Sequence, residues 1–144
     1  MNIHIIEKIN ETLQVIIKCP KADAEVMKLK AHIEAFSGKL RAKDGDRILL
    51  VNPLDAFYFE AVDNRTFLYM EKEVLEIKER LYELEELLSQ KDFIRTSKSR
   101  IVNINKIKSL KPELNRSMTA EMQNGEIISI SRHYTKQLRT LLSI

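Results

Sequence analysis

The chain has 144 residues, of which 44% are hydrophobic and 31% charged, and its formal net charge is +3. This length fits one domain, or one domain with a small extension, and allows a core that needs no disulfide. No apolar run approaches the ~20 residues that a membrane span requires, and the first twenty residues lack the apolar stretch of a signal peptide, so we expect a cytoplasmic protein.

Charge is segregated along the chain. Residues 91–144 carry 11 Lys and Arg against 4 Asp and Glu, whereas residues 42–90 carry 6 against 12. A segregated basic end is typical of proteins that bind nucleic acid, because a uniformly mixed surface would not attract a polyanion. The alternative is that the basic end only balances the acidic middle within one fold.

The first forty residues predict an N-terminal β-β-α extension. Ile3–Lys18 forms two extended pieces rich in Ile, Val and Thr, and Pro20 ends the second one. Asp23 predicts the N-cap of a helix that ends near Ser37. The apolar face of this helix would contain Val26, Leu29, Ile33 and Phe36. A charged linker at Lys39–Asp46 then separates an extension, residues 1–41, from a main domain, residues 42–144.

The middle of the chain predicts strands and one acidic helix. Arg47–Val51 is typical of a buried strand, and the hairpin Asp63-Asn64-Arg65 joins strands at Ala56–Val62 and Thr66–Met70. Glu71–Ile77 adds a possible further strand. Arg80–Ser89 predicts a helix whose Leu81, Leu84, Leu87 and Leu88 are buried and whose glutamates face water, away from any polyanion.

The basic end predicts more strands. Phe93–Thr96 is a strand, the loop Ser97-Lys98-Ser99 follows it, and Ser99 is expected to cap a short helical turn. Strands at Ile107–Leu114, Met118–Met122 and Ile127–Ile130 come next. Pro112 indicates a sheet edge, and Asn124-Gly125 indicates a type I′ hairpin turn.

The last helix has an all-basic polar face. Ser131 is its expected N-cap, with Tyr134, Leu138 and Leu141 facing inward and Arg132, Lys136 and Arg139 facing outward. A cation in the first turn, as at Arg132, is disfavoured by the helix dipole unless an anion binds there.

Motifs for catalysis are absent from the sequence. It has no phosphate loop or nucleophile motif, and His4, His32 and His133 lack the spacing of a metal site. Cys19 has no histidine near it in sequence, and we expect it to be a buried or half-exposed structural thiol. We therefore expect no enzyme, no cofactor and no metal.

Two segments carry a family resemblance. They are FIRTSKSRIVNINKIKSL, residues Phe93–Leu110, and ISISRHYTKQLRTLL, residues Ile128–Leu142. Their order resembles the LytTR-type DNA-binding domain of bacterial transcription regulators, over roughly Ala42–Leu142. The resemblance implies a mostly β fold of elongated antiparallel β-sheets with a few short helices, which places loops and not a recognition helix in successive major grooves.

The resemblance also implies contact residues. Base contacts would fall on Asn64, Arg65, Lys98 and Arg132. From residue type, since cationic groups neutralise phosphate charge and hydroxyl groups add short hydrogen bonds, we expect phosphate contacts at Arg95, Ser97, Ser99, Arg100, Lys136 and Arg139. Asn103 would brace the loop. The family usually has His-Arg-Ser where this chain has Ser97-Lys98-Ser99, and lysine lacks the bidentate fork of arginine.

The expected partners are double-stranded DNA, a second copy in a homodimer, and a co-encoded membrane protein that controls some family members; no small-molecule substrate is expected. A receiver domain is not expected, since about forty residues precede the domain. The competing interpretation is a protein-interaction module in which Arg80–Ser89 and Val26–Phe36 bind a partner. RNA binding is disfavoured because Tyr134 is the only aromatic residue after Phe93.

Overall fold

The computed structural model describes residues 1–89 and 91–144, with the backbone alone at 34–37. In this part of the chain the helices are α1 (Ala24–Ser37), α2 (Leu81–Leu87) and α3 (Arg132–Leu142). The strands are β1 (Leu40–Asp44), β2 (Arg47–Val51), β3 (Tyr58–Val62), β4 (Arg65–Tyr69), β5 (Val74–Ile77), β6 (Phe93–Ser97), β7 (Arg100–Asn103), β8 (Ile107–Pro112), β9 (Met118–Met122) and β10 (Ile127–Ile130). None of the described helices has the length and hydrophobicity needed to cross a bilayer.

The strands form two antiparallel sheets. The larger has seven strands in the order β2-β1-β5-β4-β3-β7-β6, and the smaller has three in the order β10-β9-β8. Every pairing is antiparallel. The predicted fold class, antiparallel β-sheets with a few short helices, is therefore confirmed, and β8 with Pro112 is an edge strand as predicted.

Three apolar clusters hold these elements together. The first packs α2, through Leu81, Leu84 and Leu88, against the larger sheet. The second joins the two sheets and contains Phe57, Tyr58, Val102, Met122 and Ile128. The third seats α3 on the smaller sheet and on β6, and it contains Ile94, Met118, Ala120, Ile130 and Leu138. The basic last helix is thereby fixed relative to both sheets.

The N-terminal residues differ from the prediction. The helix α1 is present and Asp23 caps it, since its Oδ1 accepts from the Val26 amide at 2.9 Å. The predicted pair of strands within Ile3–Lys18 is wrong for the single chain, because the described residues before α1 contain no strand. The apolar side chains there are exposed, from Ile3 to Ile16, so they lack the packed layer that strands need. The side chain of Phe36, predicted on the apolar face of α1, lies outside the described residues.

The predicted linker is also wrong. Lys39–Asp46 contains β1, which pairs with both β2 and β5, so the proposed boundary after Arg41 falls within a strand of the larger sheet. Conversely, β2 is a strand but is not buried. β2 lies at the edge of the sheet and has a neighbouring strand, β1, on one side only. Ile48 and Leu50 are exposed on this edge strand.

Smaller corrections concern turns and helix faces. Residues 100–102 belong to β7 and not to a helical turn, since β3 and β6 both pair with them and the β-branched side chains of Ile101 and Val102 suit a strand. Leu141 is exposed, because the inward stripe of α3 follows four-residue spacing through Tyr134 and Leu138 to Leu142. Cys19 is exposed, since its segment contributes nothing to the core.

Candidate nucleic-acid interface

The predicted contact loops meet at one end of the larger sheet. The backbone amide of Ala61, just before the β3–β4 turn, donates to the Ser99 carbonyl in the β6–β7 turn at 2.9 Å. The amide of Ser131, just before α3, donates to the Thr96 carbonyl at 3.0 Å. These two hydrogen bonds place the β3–β4 turn, the β6–β7 turn and the start of α3 side by side.

The β3–β4 turn has Asp63 and Asn64 as its central residues, with φ of 51° and 61°. Positive φ at both positions is the type I′ geometry that matches strand twist, and Asp and Asn tolerate it. The Asn64 carbonyl accepts from Arg80 Nη1 at 2.9 Å, which anchors the turn to the start of α2. The Asn64 side chain is exposed at the tip of this hairpin.

Arg65, next to this tip, is held within the sheet. Its Nε and Nη2 donate to the two carboxylate oxygens of Glu76 at 2.9 and 2.6 Å, and its guanidinium lies 5.2 Å from the centre of the Phe67 ring. The pair raises the pKa of Arg65 and lowers the pKa of Glu76 from its usual value. Glu76 therefore occupies two of the three guanidinium nitrogens of Arg65 and competes with a base for them.

The β6–β7 turn exposes Lys98. The Ser97 hydroxyl accepts from the Ser99 amide at 3.2 Å, and Arg95 Nη1 donates to the Lys98 carbonyl, so the turn is braced from inside. Lys98 itself is exposed, and no ion pair involves its ammonium group in the described parts of the chain.

Arg95 acts as a brace in this geometry. Its side chain is only 17% exposed, and its Nε also donates to Glu85 of α2 at 3.2 Å. The acidic helix α2 therefore lies close to the Lys98 turn and not remote from it, contrary to the expectation that its acidic face is kept away from a phosphate backbone.

Arg100 is similarly engaged. Its side chain is 25% exposed, both its Nε (2.8 Å) and its Nη2 donate to Glu60, and its guanidinium lies 5.4 Å from the centre of the Tyr58 ring. Tyr58 in turn donates to Glu126 at 2.6 Å, and burial is the main cause that raises the pKa of this phenol. Arg100, in the larger sheet, is thus connected through Tyr58 to Glu126, which lies in the β9–β10 turn of the smaller sheet.

The outer face of α3 carries cations that are not paired. Arg132, Lys136 and Arg139 are all exposed, and no ion pair involves them among residues 1–89 and 91–144. Ser131 has the backbone of an N-cap, although its hydroxyl makes no capping bond, and its carbonyl accepts from Thr135 Oγ1 at 3.0 Å. The basic face predicted for this helix is present and accessible.

Asn103 has a structural role, as predicted, but at a different place. It is 1% exposed, and its Nδ2 donates to the carbonyls of Leu54 (3.0 Å) and Ala56 (2.9 Å). Its Oδ1 accepts from the Asn105 amide at 3.0 Å. It therefore fixes the segment before β3, and only through β3 does it support the contact loops.

Both strands of the β8–β9 hairpin were predicted from the sequence, but the turn between them was not among the predicted contact residues. The tip of this hairpin and the start of α3 line an open cleft of about 540 Å³, formed by Leu114, Asn115, Arg116, Arg132, His133 and Lys136. Arg116 lies at the opposite side of this cleft from the cations of α3. A basic residue in the turn between two predicted strands was the available signal, but the family motifs do not include it.

The described residues contain no group of three His, Cys, Asp or Glu side chains arranged to hold a metal ion. The exposed groups on this surface are guanidinium, ammonium, amide and hydroxyl groups. Such groups donate hydrogen bonds to phosphate oxygens and to base edges.

Comparison with known proteins gives consistent results. The sequence model described as the LytTr DNA-binding domain matches residues 46–143. An uncharacterised HTH-type transcriptional regulator of Staphylococcus aureus (strain NCTC 8325) is 30% identical over 147 residues, covering 100% of this chain and 99% of that protein. A solved LytTr DNA-binding domain from Bacillus cereus superposes with a TM-score of 0.70 at 33% identity, over 74% of this chain and 98% of that domain.

Longer relatives match as well. The sensory transduction protein LytT of Bacillus subtilis (strain 168) is 29% identical over 138 residues, which are 96% of this chain and 56% of that relative. The LytT protein of Bacillus anthracis is 32% identical over 140 residues, with 57% of its length covered. The chain thus spans little more than half the length of these two relatives.

Proposed function

Because the chain belongs to the LytTr DNA-binding domain family, we propose that it binds double-stranded DNA sequence-specifically, with loops in the major groove, and regulates transcription. The observation that carries this proposal is the grouping of the β3–β4 turn, the β6–β7 turn and the start of α3 at one end of the sheet, through the hydrogen bonds at Ala61 and Ser131. Two stiff sheets hold these tips, so they are presented without a large ordering cost on binding.

The base contacts are assigned by exposure and pairing. Arg132 has a free guanidinium, which can donate two bonds to guanine O6 and N7 and provide ~1–3 kcal/mol of discrimination. Lys98 and Asn64 stand at the tips of neighbouring turns and can reach base edges or phosphates. Arg65 joins them either through the N–H groups that Glu76 does not use or by exchanging the Glu76 carboxylate for a DNA acceptor.

The phosphate contacts divide into two groups. Lys136 and Arg139 are exposed and unpaired, and they extend the footprint along α3. Ser97 and Ser99 lie in the Lys98 turn and can add short hydrogen bonds to the same strand of DNA.

Arg95 and Arg100, both also predicted to contact phosphate, are given another role by their geometry. Arg95 holds the Lys98 carbonyl, and Arg100 is paired with Glu60 in a mostly buried position. We assign to both a positioning role, because withdrawing either guanidinium would leave a partly buried carboxylate or carbonyl without its partner.

Dimerisation is part of the proposal. Residues 1–18 expose most of their Ile, Leu and Val side chains, and the edge strand β2 exposes Ile48 and Leu50. Exposed apolar segments and unpaired edges on this scale mark association surfaces. A homodimer would place two copies of the contact loops on paired half-sites, which is a common arrangement for small DNA-binding domains.

The same exposed segment also favours the second candidate, a protein-interaction module. The two candidates differ in one measurable property, since only DNA binding through phosphates is strongly weakened by salt.

The roles within the surface are tested with duplexes selected from a random pool. Arg132→Ala should reduce affinity for the selected duplex much more than for a scrambled duplex. Lys136→Ala should reduce affinity for both duplexes by the same factor. Tyr82→Ala, on the exposed face of α2, is the control and should change neither. Identical profiles for the two basic variants would contradict the assignment of roles.

A further inference from the structure

The β9–β10 hairpin shows how the smaller sheet normally closes a turn. The Met122 amide donates to the Glu126 carbonyl at 2.8 Å, and three residues lie between these two. The third of them is Gly125, with φ of +87°. Three-residue hairpin loops commonly require a left-handed residue at this position, and glycine adopts that conformation without steric cost.

The β8–β9 hairpin closes in the same way, but with a different residue. The Glu113 amide donates to the Ser117 carbonyl at 2.9 Å, and the third intervening residue is Arg116, with φ of +61°. Left-handed backbone is uncommon for a residue with a long side chain, and such positions frequently accompany function. The chain therefore places an arginine where the equivalent turn of the same sheet has a glycine.

The surroundings of Arg116 indicate what it binds. Pro112 and Ile130 both pair with Met118, so the β8–β9 tip and the start of α3 leave the sheet at the same end. Across the cleft between them, Arg116 opposes Arg132 and Lys136.

Like charges around one cleft repel each other. Among residues 1–89 and 91–144, no ion pair involves Arg116, Arg132 or Lys136. The acidic residue of the same hairpin, Glu113, accepts instead from Thr119 Oγ1 at 3.0 Å. An anion between hairpin and helix would offset the repulsion.

We propose that Asn115 and Arg116 form a fourth DNA-contacting element, and that the cleft between the β8–β9 hairpin and α3 binds one phosphate group of the DNA backbone. Arg116 contacts this phosphate from the hairpin and Lys136 contacts it from the helix, while Arg132 at the helix start points to the adjoining bases. This inference rests on the proposed function and enlarges the DNA footprint beyond the three tips at the end of the larger sheet.

The test compares two exposed cations, Arg116 and Lys72, which lie near opposite ends of the smaller sheet. Arg116→Asn removes the charge but keeps a residue that accepts positive φ, so its melting temperature should equal or exceed that of the wild type. Lys72→Asn is the matched control. Asn124 Nδ2 contacts the Glu71 carbonyl at 3.4 Å, which places Lys72 beside the β9–β10 turn and away from the cleft.

We expect Arg116→Asn to weaken binding to selected and scrambled duplexes alike and to reduce the salt slope by about 1, because one phosphate contact is lost. Lys72→Asn should leave both quantities unchanged. Inorganic phosphate, added alone while backbone amide NMR is followed, should produce only weak shifts at Asn115 and Arg116 that do not saturate at millimolar concentration.

Each unfavourable outcome is distinguishable. A wild type that binds duplex with steep salt dependence, together with an unchanged Arg116→Asn slope, overturns this inference alone. Saturation by inorganic phosphate with unchanged duplex binding also overturns it, because the cleft would then be a site for free anions. A wild type without salt-dependent duplex binding rejects the proposed function, and this inference with it.

Discussion

The salt dependence of duplex binding can be calculated from the ion pairs in the structure. Of the seven Arg and Lys side chains proposed for DNA contact, Arg65, Arg95 and Arg100 are paired with carboxylates. The ones without an ion pair among the described residues are Lys98, Arg132, Lys136 and Arg139, and on a random duplex, where no base is selected, we count each of them as neutralising one phosphate. Each phosphate neutralised contributes about −0.9 to the slope of log K against log salt concentration.

The slope distinguishes an interface formed by the cations without ion pairs from one that also includes the three paired arginines. Four unpaired cations give a slope of about −3.6, and adding Arg116 gives about −4.5, which is a roughly 150- to 500-fold loss of affinity between 50 and 200 mM salt. If the three paired arginines also bound phosphates, the slope would be about −6.3 without Arg116 and about −7.2 with it, and the loss would be roughly 6,000- to 20,000-fold.

The assay is fluorescence anisotropy of a labelled random duplex over that salt range at constant pH. A slope between about −3 and −5 supports the division into unpaired contacts and paired braces. A slope near −6 or steeper would refute this division, because it requires the internal pairs to open on DNA. A flat response would refute DNA binding itself.

Three further outcomes are expected. Asn103→Ala should lower the free energy of unfolding by about 2–4 kcal/mol in urea titrations, because the buried carbonyl of Ala56 and the partly buried carbonyl of Leu54 lose their donor; a change below about 0.5 kcal/mol would contradict its bracing role. Glu76→Gln should free Arg65 and strengthen duplex binding at pH 7, because the lowered pKa of Glu76 keeps the wild-type carboxylate charged and paired at that pH. The stabilising pair is lost only as pH falls through that pKa. Unchanged binding by the variant would show that Arg65 does not reach DNA. Deletion of residues 1–18 should convert the proposed homodimer into a monomer in analytical ultracentrifugation, with the secondary structure of the rest of the chain unchanged; a dimer that persists would place the association surface elsewhere.

The sequence predicted the central elements because their signals are local. Asp23 has the side chain for an N-cap, Asp63-Asn64 suits a tight hairpin, and the spacing of Tyr134 and Leu138 defines the buried face of α3. Each of these signals acts within a few residues, so neighbouring side chains decide the outcome.

The errors come from tertiary context. Residues 3–18 favour strands by composition, but a strand also requires a partner, and no strand among residues 1–89 and 91–144 pairs with them. Lys39–Asp46 is charged and polar, yet it forms β1 because β2 and β5 supply backbone partners on both sides. Such pairing depends on residues far along the chain, which a local pattern does not register.

The same distinction applies to the candidate interface. Arginines were predicted as contacts by residue type, and type alone does not distinguish the unpaired Arg132 from Arg95 and Arg100, whose carboxylate partners lie on other elements. Arg116 was missed for the opposite reason. Its proposed role depends on a cleft between the tip of the β8–β9 hairpin and α3, which are separated along the chain by β9 and β10. Its positive φ is visible only in the structure.

Mapping the DNA footprint by amide NMR tests whether the β3–β4 turn, the β6–β7 turn and the start of α3 contact DNA together. A duplex recovered by selection is titrated into labelled protein, and the chemical shift changes are placed on the fold. We expect the largest changes to occur together at Asn64, Lys98 and Arg132, on the three tips joined by the hydrogen bonds at Ala61 and Ser131. Changes confined to α2 or to the edge strand β2, with these three tips unaffected, would contradict this expectation.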